Sequence, residues 1–134
     1  MTVSQKTILL VEGNSPSRNK TSELLRQFGY SVITAKDGKH ALQIFNNSHN
    51  QIDLAILDLL MPEISGPDAY IEMRMLKPSL PVIFIAGGEP DSGPSHVHEW
   101  NGGFITILQK PLTRRQLAEK LDNLFCKPSP TLHN

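Results

Sequence analysis

The chain has 134 residues, enough for one domain with a single sizeable core that needs no disulfide or structural metal. Thirteen basic and thirteen acidic side chains cancel to a formal net charge of zero, which removes the bulk electrostatic argument for nucleic acid or an anionic membrane as a direct partner. The single cysteine, Cys126, has no intrachain partner, and the apolar run near the N-terminus is too short for a signal segment or a membrane span, so a reducing, cytoplasmic setting is expected.

Residues 7–11, "TILLV", read as a buried first strand that leaves the sheet through Glu12, Gly13 and Asn14. Pro16 opens a helix with Leu24, Leu25 and Phe28 on one side, and Gly29 stops it. Residues 30–35 are the second strand. "DGKHALQIF" starts a second helix whose Ala41, Leu42 and Phe45 share a face, and "NNSHNQ" ends it. The third strand, 52–57, runs straight into Asp58; after "LLMPEISG", Pro67 begins a third helix that lasts to about Leu76. Residues 82–85 are apolar throughout, as a central strand of a parallel sheet should be.

The next segment, "GGEPDSGPSHVHEWNGG", holds two prolines and five glycines and almost no helical apolar period, so an irregular fourth helix is expected there. Residues 104–108 form the fifth strand. "LTRRQLAEKLDNLF" is the last helix, with Leu117, Leu121 and Leu124 in line and Thr113 as its cap. The expected domain is 1–126, followed by a disordered tail, 127–134, that has little to bury. Strands alternating with helices in this way indicate an α/β protein with a parallel sheet.

Three signals outside this pattern have ordinary readings. His96 and His98 are spaced like a pair of metal ligands, but no cysteine or third histidine lies near, which favours plain polar positions. Trp100, the only tryptophan, reads as a core plug, with an interface anchor as the alternative. Cys126, beside Phe125, reads as a packing residue, because no histidine is near to activate a thiol.

A doubly wound parallel sheet gathers functional groups at the carboxyl ends of its strands. Strand one delivers Glu12, Gly13 and Asn14; strand three, Asp58; strand four, Ala86 and Gly87; strand five, Lys110 and Pro111. A carboxylate held at a strand end beside cations suits covalent capture of a phosphoryl group, the carboxylate acting as nucleophile while cations neutralise the transferring oxygens. The same placement would serve a purely structural Asp58–Lys110 ion pair, and spacing does not choose between the two.

"LAILDLLMPEISG", with Asp58 followed by Met61, Pro62 and Gly66, together with "PVIFIAG" and "LQKP", resembles the receiver domains of bacterial response regulators and hybrid sensor kinases. The resemblance covers roughly residues 6–126. It implies a flavodoxin-like doubly wound five-stranded parallel sheet of order 2-1-3-4-5. It also implies that Asp58 is the phosphoacceptor, that Lys110 contacts the phosphoryl oxygens, and that Glu12, Asp58 and the backbone carbonyl of Leu60 bind Mg2+. The implied role is phosphorelay signalling, not catalysis for its own sake, with a sensor histidine kinase or histidine phosphotransfer protein as donor. No effector segment follows residue 126, so output is expected to run through a downstream protein partner, or through a larger chain of which this is one module.

Three positions depart from the family pattern. Gly13 stands where the second acid of the pair usually lies, which removes a direct magnesium ligand and predicts weak binding. Ala86 stands where a Thr or Ser hydroxyl usually bonds the phosphoryl group, an interaction of roughly 1.5–3 kcal/mol for a charged acceptor. Ile107, three residues before Lys110, stands where a switch aromatic is usual. The stretch from Ala86 to Lys110 is also longer than usual. These departures motivate an alternative, a pseudo-receiver that works as a phosphorylation-independent interaction module. A third reading, a flavin-binding flavodoxin with "EGNSPSRN" cradling phosphate on backbone N–H groups, lacks aromatic residues to sandwich the flavin.

Overall fold

The computed structural model describes residues 5–87, 97–100 and 103–125. Its elements in chain order are β1 (Thr7–Val11), α1 (Ser15–Gln27), β2 (Ser31–Ala35), α2 (Gly38–Ser48), a 3-10 turn (His49–Gln51), β3 (Leu54–Asp58), α3 (Gly66–Leu76), β4 (Val82–Ala86), β5 (Val97–Trp100), β6 (Gly103–Gln109) and α4 (Arg114–Phe125). Five of the strands are parallel and lie in the order β2-β1-β3-β4-β6, which is the expected 2-1-3-4-5 arrangement with β6 as the fifth parallel strand.

The two-residue period of the strands sorts side chains onto two helical layers. Leu9 and Val11 of β1, Ala55 and Leu57 of β3, and Val82 and Phe84 of β4 pack with Ala41, Phe45, Ala69, Tyr70 and Met73 of α2 and α3. Their alternates, Ile8, Leu10, Leu54, Ile56, Ile83 and Ile85, pack with Leu25, Leu117 and Leu121 of α1 and α4. A strand buried on both faces cannot alternate apolar with polar, which is why the central strands read as unbroken apolar runs.

Helix starts follow local chemistry. The side chains of Asn14, Asp37 and Ser65 accept from the N–H of Ser17, His40 and Asp68, respectively, at 2.8, 2.8 and 3.2 Å. Thr113 and Gln116 form a reciprocal capping box, Gln116 N–H donating to Thr113 Oγ1 at 3.0 Å and Thr113 N–H to Gln116 Oε1 at 3.3 Å.

One element differs from expectation. Within the segment expected to hold an irregular fourth helix, β5 is a strand, antiparallel to β6, with Val97 paired to Thr106 and Trp100 to Gly103. Two strand-forming stretches flanking Asn101-Gly102, a residue pair that favours tight hairpins, explain the difference. Residues 88–96, the remainder of that expected helix, lie outside the described residues, as do His96, Cys126, the tail 127–134 and the side chains of His98 and Trp100.

Candidate functional site

The reversal of strand order falls between β1 and β3, where β1 leads to β2 on one side and pairs with β3 on the other. The hydrogen-bond ladder runs past the strand ends and pins the residues just beyond them. Glu12 N–H donates to Ala35 O at 3.1 Å, Leu59 N–H to Ile85 O at 2.9 Å and Lys110 N–H to Ala86 O at 2.8 Å. Glu12, Asp58 and Lys110 are thereby delivered to one edge from three different strands.

Their side chains meet. Lys110 Nζ lies 2.6 Å from Glu12 Oε2 and 3.7 Å from Asp58 Oδ2. Glu12 is fully buried, whereas the side chains of Asp58 and Lys110 keep 15% and 20% of their exposure, so solvent reaches the site at Asp58 and Lys110 and not at Glu12. Ser17 Oγ also donates to Glu12 Oε2, and Arg18 Nη1 donates to the Glu12 carbonyl at 2.8 Å. The other carboxylate oxygen, Glu12 Oε1, is buried and has no hydrogen-bond partner among the described residues.

The loop after β3 shapes the approach to Asp58. Gly66 N–H returns to Leu59 O at 3.1 Å, and a Cβ on Gly66 would lie well inside contact distance of the Asp58 carbonyl, so only glycine lets the loop close back on the strand end. Ile64 N–H bonds Pro62 O at 2.7 Å across Glu63, whose φ of 68° is the value a γ-turn requires. Leu60 is thrown outward, 83% exposed, while its backbone N–H favours the charged form of the Asp58 carboxyl.

Burial pushes the Asp58 carboxyl above the ordinary carboxylate range; the Lys110 ammonium opposes this, repulsion from Glu12 adds to it, and the Leu60 N–H offsets part. The folded protein therefore binds the Asp58 proton more tightly than the unfolded chain. The corresponding stability is complete below the ordinary carboxylate range and is lost as pH rises through the raised folded value. In metal-free buffer, Asp58→Asn is expected to melt a few degrees above the parent at pH 7, with the gap closing at about pH 4. Thermal unfolding at both pH values reads this, and a lower melting point for the variant at pH 7 would mean the Lys110 attraction outweighs burial.

The three departures fall where the sequence placed them. Gly13 follows Glu12 at the end of β1, with room for a side chain: an added Cβ would sit 3.5 Å from the Lys36 carbonyl, an ordinary contact. Ala86 ends β4, nearly buried, with no hydroxyl to offer. Ile107 pairs with Phe84 and packs, half-buried, against the α2–α3 side of the core. The phosphate-cradle reading of "EGNSPSRN" loses two donors, because Ser17 N–H caps onto Asn14 Oδ1 and Arg18 N–H onto Asn14 O at 2.8 Å.

The family model described as "Response regulator receiver domain" matches residues 8–122. The chain belongs to that family. Among relatives of this receiver domain, the sensor kinase CckA of Brucella abortus is 31% identical over 122 residues, which is 90% of this chain and 13% of the kinase. The transcriptional regulatory protein GlrR of Escherichia coli is 31% identical over 125 residues, 91% of this chain and 27% of the regulator. The chain thus spans 13% and 27% of these two relatives. A crystal structure of the receiver domain from hybrid histidine kinase CckA superposes with a TM-score of 0.72 at 35% identity, covering 87% of this chain and 96% of that one. The receiver domain is a signalling domain of two-component systems, and such domains interact with histidine kinases or phosphotransfer proteins.

Receiver domains generally bind Mg2+ at the phosphorylation site. The side chains here offer oxygen to such a cation: Glu12 has a buried oxygen without a hydrogen-bond partner among the described residues, and Asp58 a carboxylate that keeps 15% of its exposure. No group of three or more His, Cys, Asp or Glu side chains that could hold a metal occurs among the described residues. Among the described residues no helix is long and apolar enough to cross a membrane.

Sequence reasoning missed Ser17 and Arg18, which hold Glu12 from the first turn of α1. Their position, five and six residues beyond a strand-end acid at the start of a helix, was the available signal.

Proposed function

We propose that this chain accepts a phosphoryl group on Asp58 within a phosphorelay, with weakened binding of the magnesium ion. The observation that supports this best is the convergence of a partly exposed carboxylate and an ammonium at one strand edge, Asp58 Oδ2 and Lys110 Nζ being 3.7 Å apart. In the transfer step an ionised Asp58 oxygen forms a bond to phosphorus while the P–N bond of a donor phosphohistidine breaks. The departing imidazole keeps the bonding pair and takes up a proton. Lys110 then neutralises charge on the transferred oxygens, a role for which a preorganised cation at the site costs no rearrangement. A bound Mg2+ would add charge neutralisation there, held by Glu12, Asp58 and the Leu60 carbonyl.

On this reading the protein is a cytoplasmic phosphoacceptor with no turnover reaction of its own. Its donor is a sensor histidine kinase or histidine phosphotransfer protein, and its output passes to another protein, not directly to nucleic acid or membrane. Incubation with acetyl phosphate and Mg2+ should add the mass of one phosphoryl group, and Asp58→Asn should abolish the addition. An unmodified intact mass at saturating donor and magnesium would sink the proposal.

A second reading, the pseudo-receiver that binds partners without phosphorylation, draws on a specific feature. The Lys110 ammonium sits closer to Glu12 than to Asp58, and Ala86 supplies no hydroxyl, so the groups that would read a phosphoryl group are already engaged or missing. It requires partner affinity to be the same with and without phosphodonor.

A further inference from the structure

The carboxylate of Glu12 is divided unequally. Oε2 takes two donors, Lys110 Nζ at 2.6 Å and the hydroxyl of Ser17, while Oε1 takes none among the described residues and belongs to a fully buried side chain. A buried carboxylate oxygen without a donor is costly in a folded protein unless something outside the chain satisfies it. Lys110 alone could pair with either oxygen; the Ser17 hydroxyl, which donates to Oε2 as well, fixes which one it meets. Ser17 is the third residue of α1, and its own N–H is fixed by Asn14 Oδ1 at 2.8 Å, which holds the hydroxyl in place beneath Glu12. Arg18, one residue on, ties the Glu12 carbonyl to the same helical turn at 2.8 Å.

We propose that Ser17 is a positioning residue of this pocket: with Lys110 it holds Glu12 Oε2 and so leaves Oε1 as the buried oxygen presented to a divalent cation. The inference rests on the proposed function, in which the pocket takes such a cation. Ser17 itself does not touch the cation; it acts by fixing which carboxylate oxygen is free. With no acid at position 13, the orientation of Glu12 governs what remains of the acidic pair, and loss of a hydrogen bond that orients a metal ligand typically weakens binding about 10- to 100-fold.

The test is Mn2+ binding, monitored by electron paramagnetic resonance of the free ion, to the parent, Ser17→Ala and Ser17→Thr, with thermal unfolding of each in metal-free buffer. Ser17→Ala is expected to bind about 10-fold more weakly while remaining folded, and Ser17→Thr, which keeps the hydroxyl, is expected to bind like the parent. The same three side chains at position 17 are compared in a Gly13→Asp background, where an added carboxylate brings binding into range if the parent binds too weakly to measure. Equal affinity of the alanine and serine forms in that background would overturn the assignment of Ser17, as would a threonine form as weak as the alanine one. A Ser17→Ala protein that loses stability but not affinity would show a purely structural role and overturn it likewise. Absence of Mn2+ binding in every form, Gly13→Asp included, would overturn the cation reading itself and this inference with it.

Discussion

Lys110→Met should lower the free energy of unfolding by roughly 3 kcal/mol at neutral pH, toward the lower end of the loss caused by removing one partner of a buried pair. Glu12 is fully buried and its Oε2 lies 2.6 Å from Lys110 Nζ, so the substitution strands a carboxylate in the interior that, among the described residues, keeps only the Ser17 hydroxyl as a side-chain donor. The 20% residual exposure of the lysine side chain tempers the loss, because some water reaches the vacated volume. The double variant Glu12→Gln with Lys110→Met should recover roughly half or more of that loss, since a neutral amide is far cheaper to bury than an unpaired carboxylate. Urea unfolding of the three proteins in metal-free buffer measures both quantities. A loss below about 1 kcal/mol for the single variant would put the pair in the class of screened surface ion pairs.

Gly13→Asp should tighten Mg2+ binding at least about 10-fold. Glycine is not held at position 13 by backbone conformation or by crowding, since a Cβ there would make only an ordinary 3.5 Å contact with the Lys36 carbonyl. The added carboxylate would join Glu12 and Asp58, which already repel each other enough to help push the Asp58 carboxyl up. The variant should therefore be less stable than the parent in chelator and more stable in saturating magnesium, a reversal that simple improvement of packing would not produce. Calorimetric titration gives the affinity, and melting in the two buffers gives the reversal. Unchanged affinity would mean that position 13 does not limit the site.

The fold was legible because it depends on period and punctuation. Two-sided burial makes β1, β3 and β4 unbroken apolar runs, and Gly29, Ser65-Gly66-Pro67 and Thr113 mark helix ends by local backbone chemistry that operates before any tertiary contact forms. The exception is instructive. Expectation at "HVHEW" weighed prolines and glycines against a helix and left Asn101-Gly102 unused, whereas β5 pairs with β6 on either side of that dipeptide. Strand pairing draws its stability from a partner strand, so a four-residue strand carries little signal in its own composition.

The residue types of the candidate site were equally legible. Glu12, Asp58 and Lys110 stand at strand ends, and the vacancies at Gly13 and Ala86 are visible as soon as those ends are set beside the family pattern. What the sequence by itself determined was this inventory and the sheet edge on which it gathers, because hydrophobic period marks where each strand ends and the family resemblance implies the strand order. Only the tertiary structure decided how the charges are shared. Lys110 lies nearer Glu12 than Asp58, Ser17 completes the hold on one carboxylate oxygen, and the other is left buried and unpartnered among the described residues. The reason is physical: such choices turn on differences of about an ångström and on which atoms lose water, and both arise only when separate strands and the first turn of α1 are packed against one another.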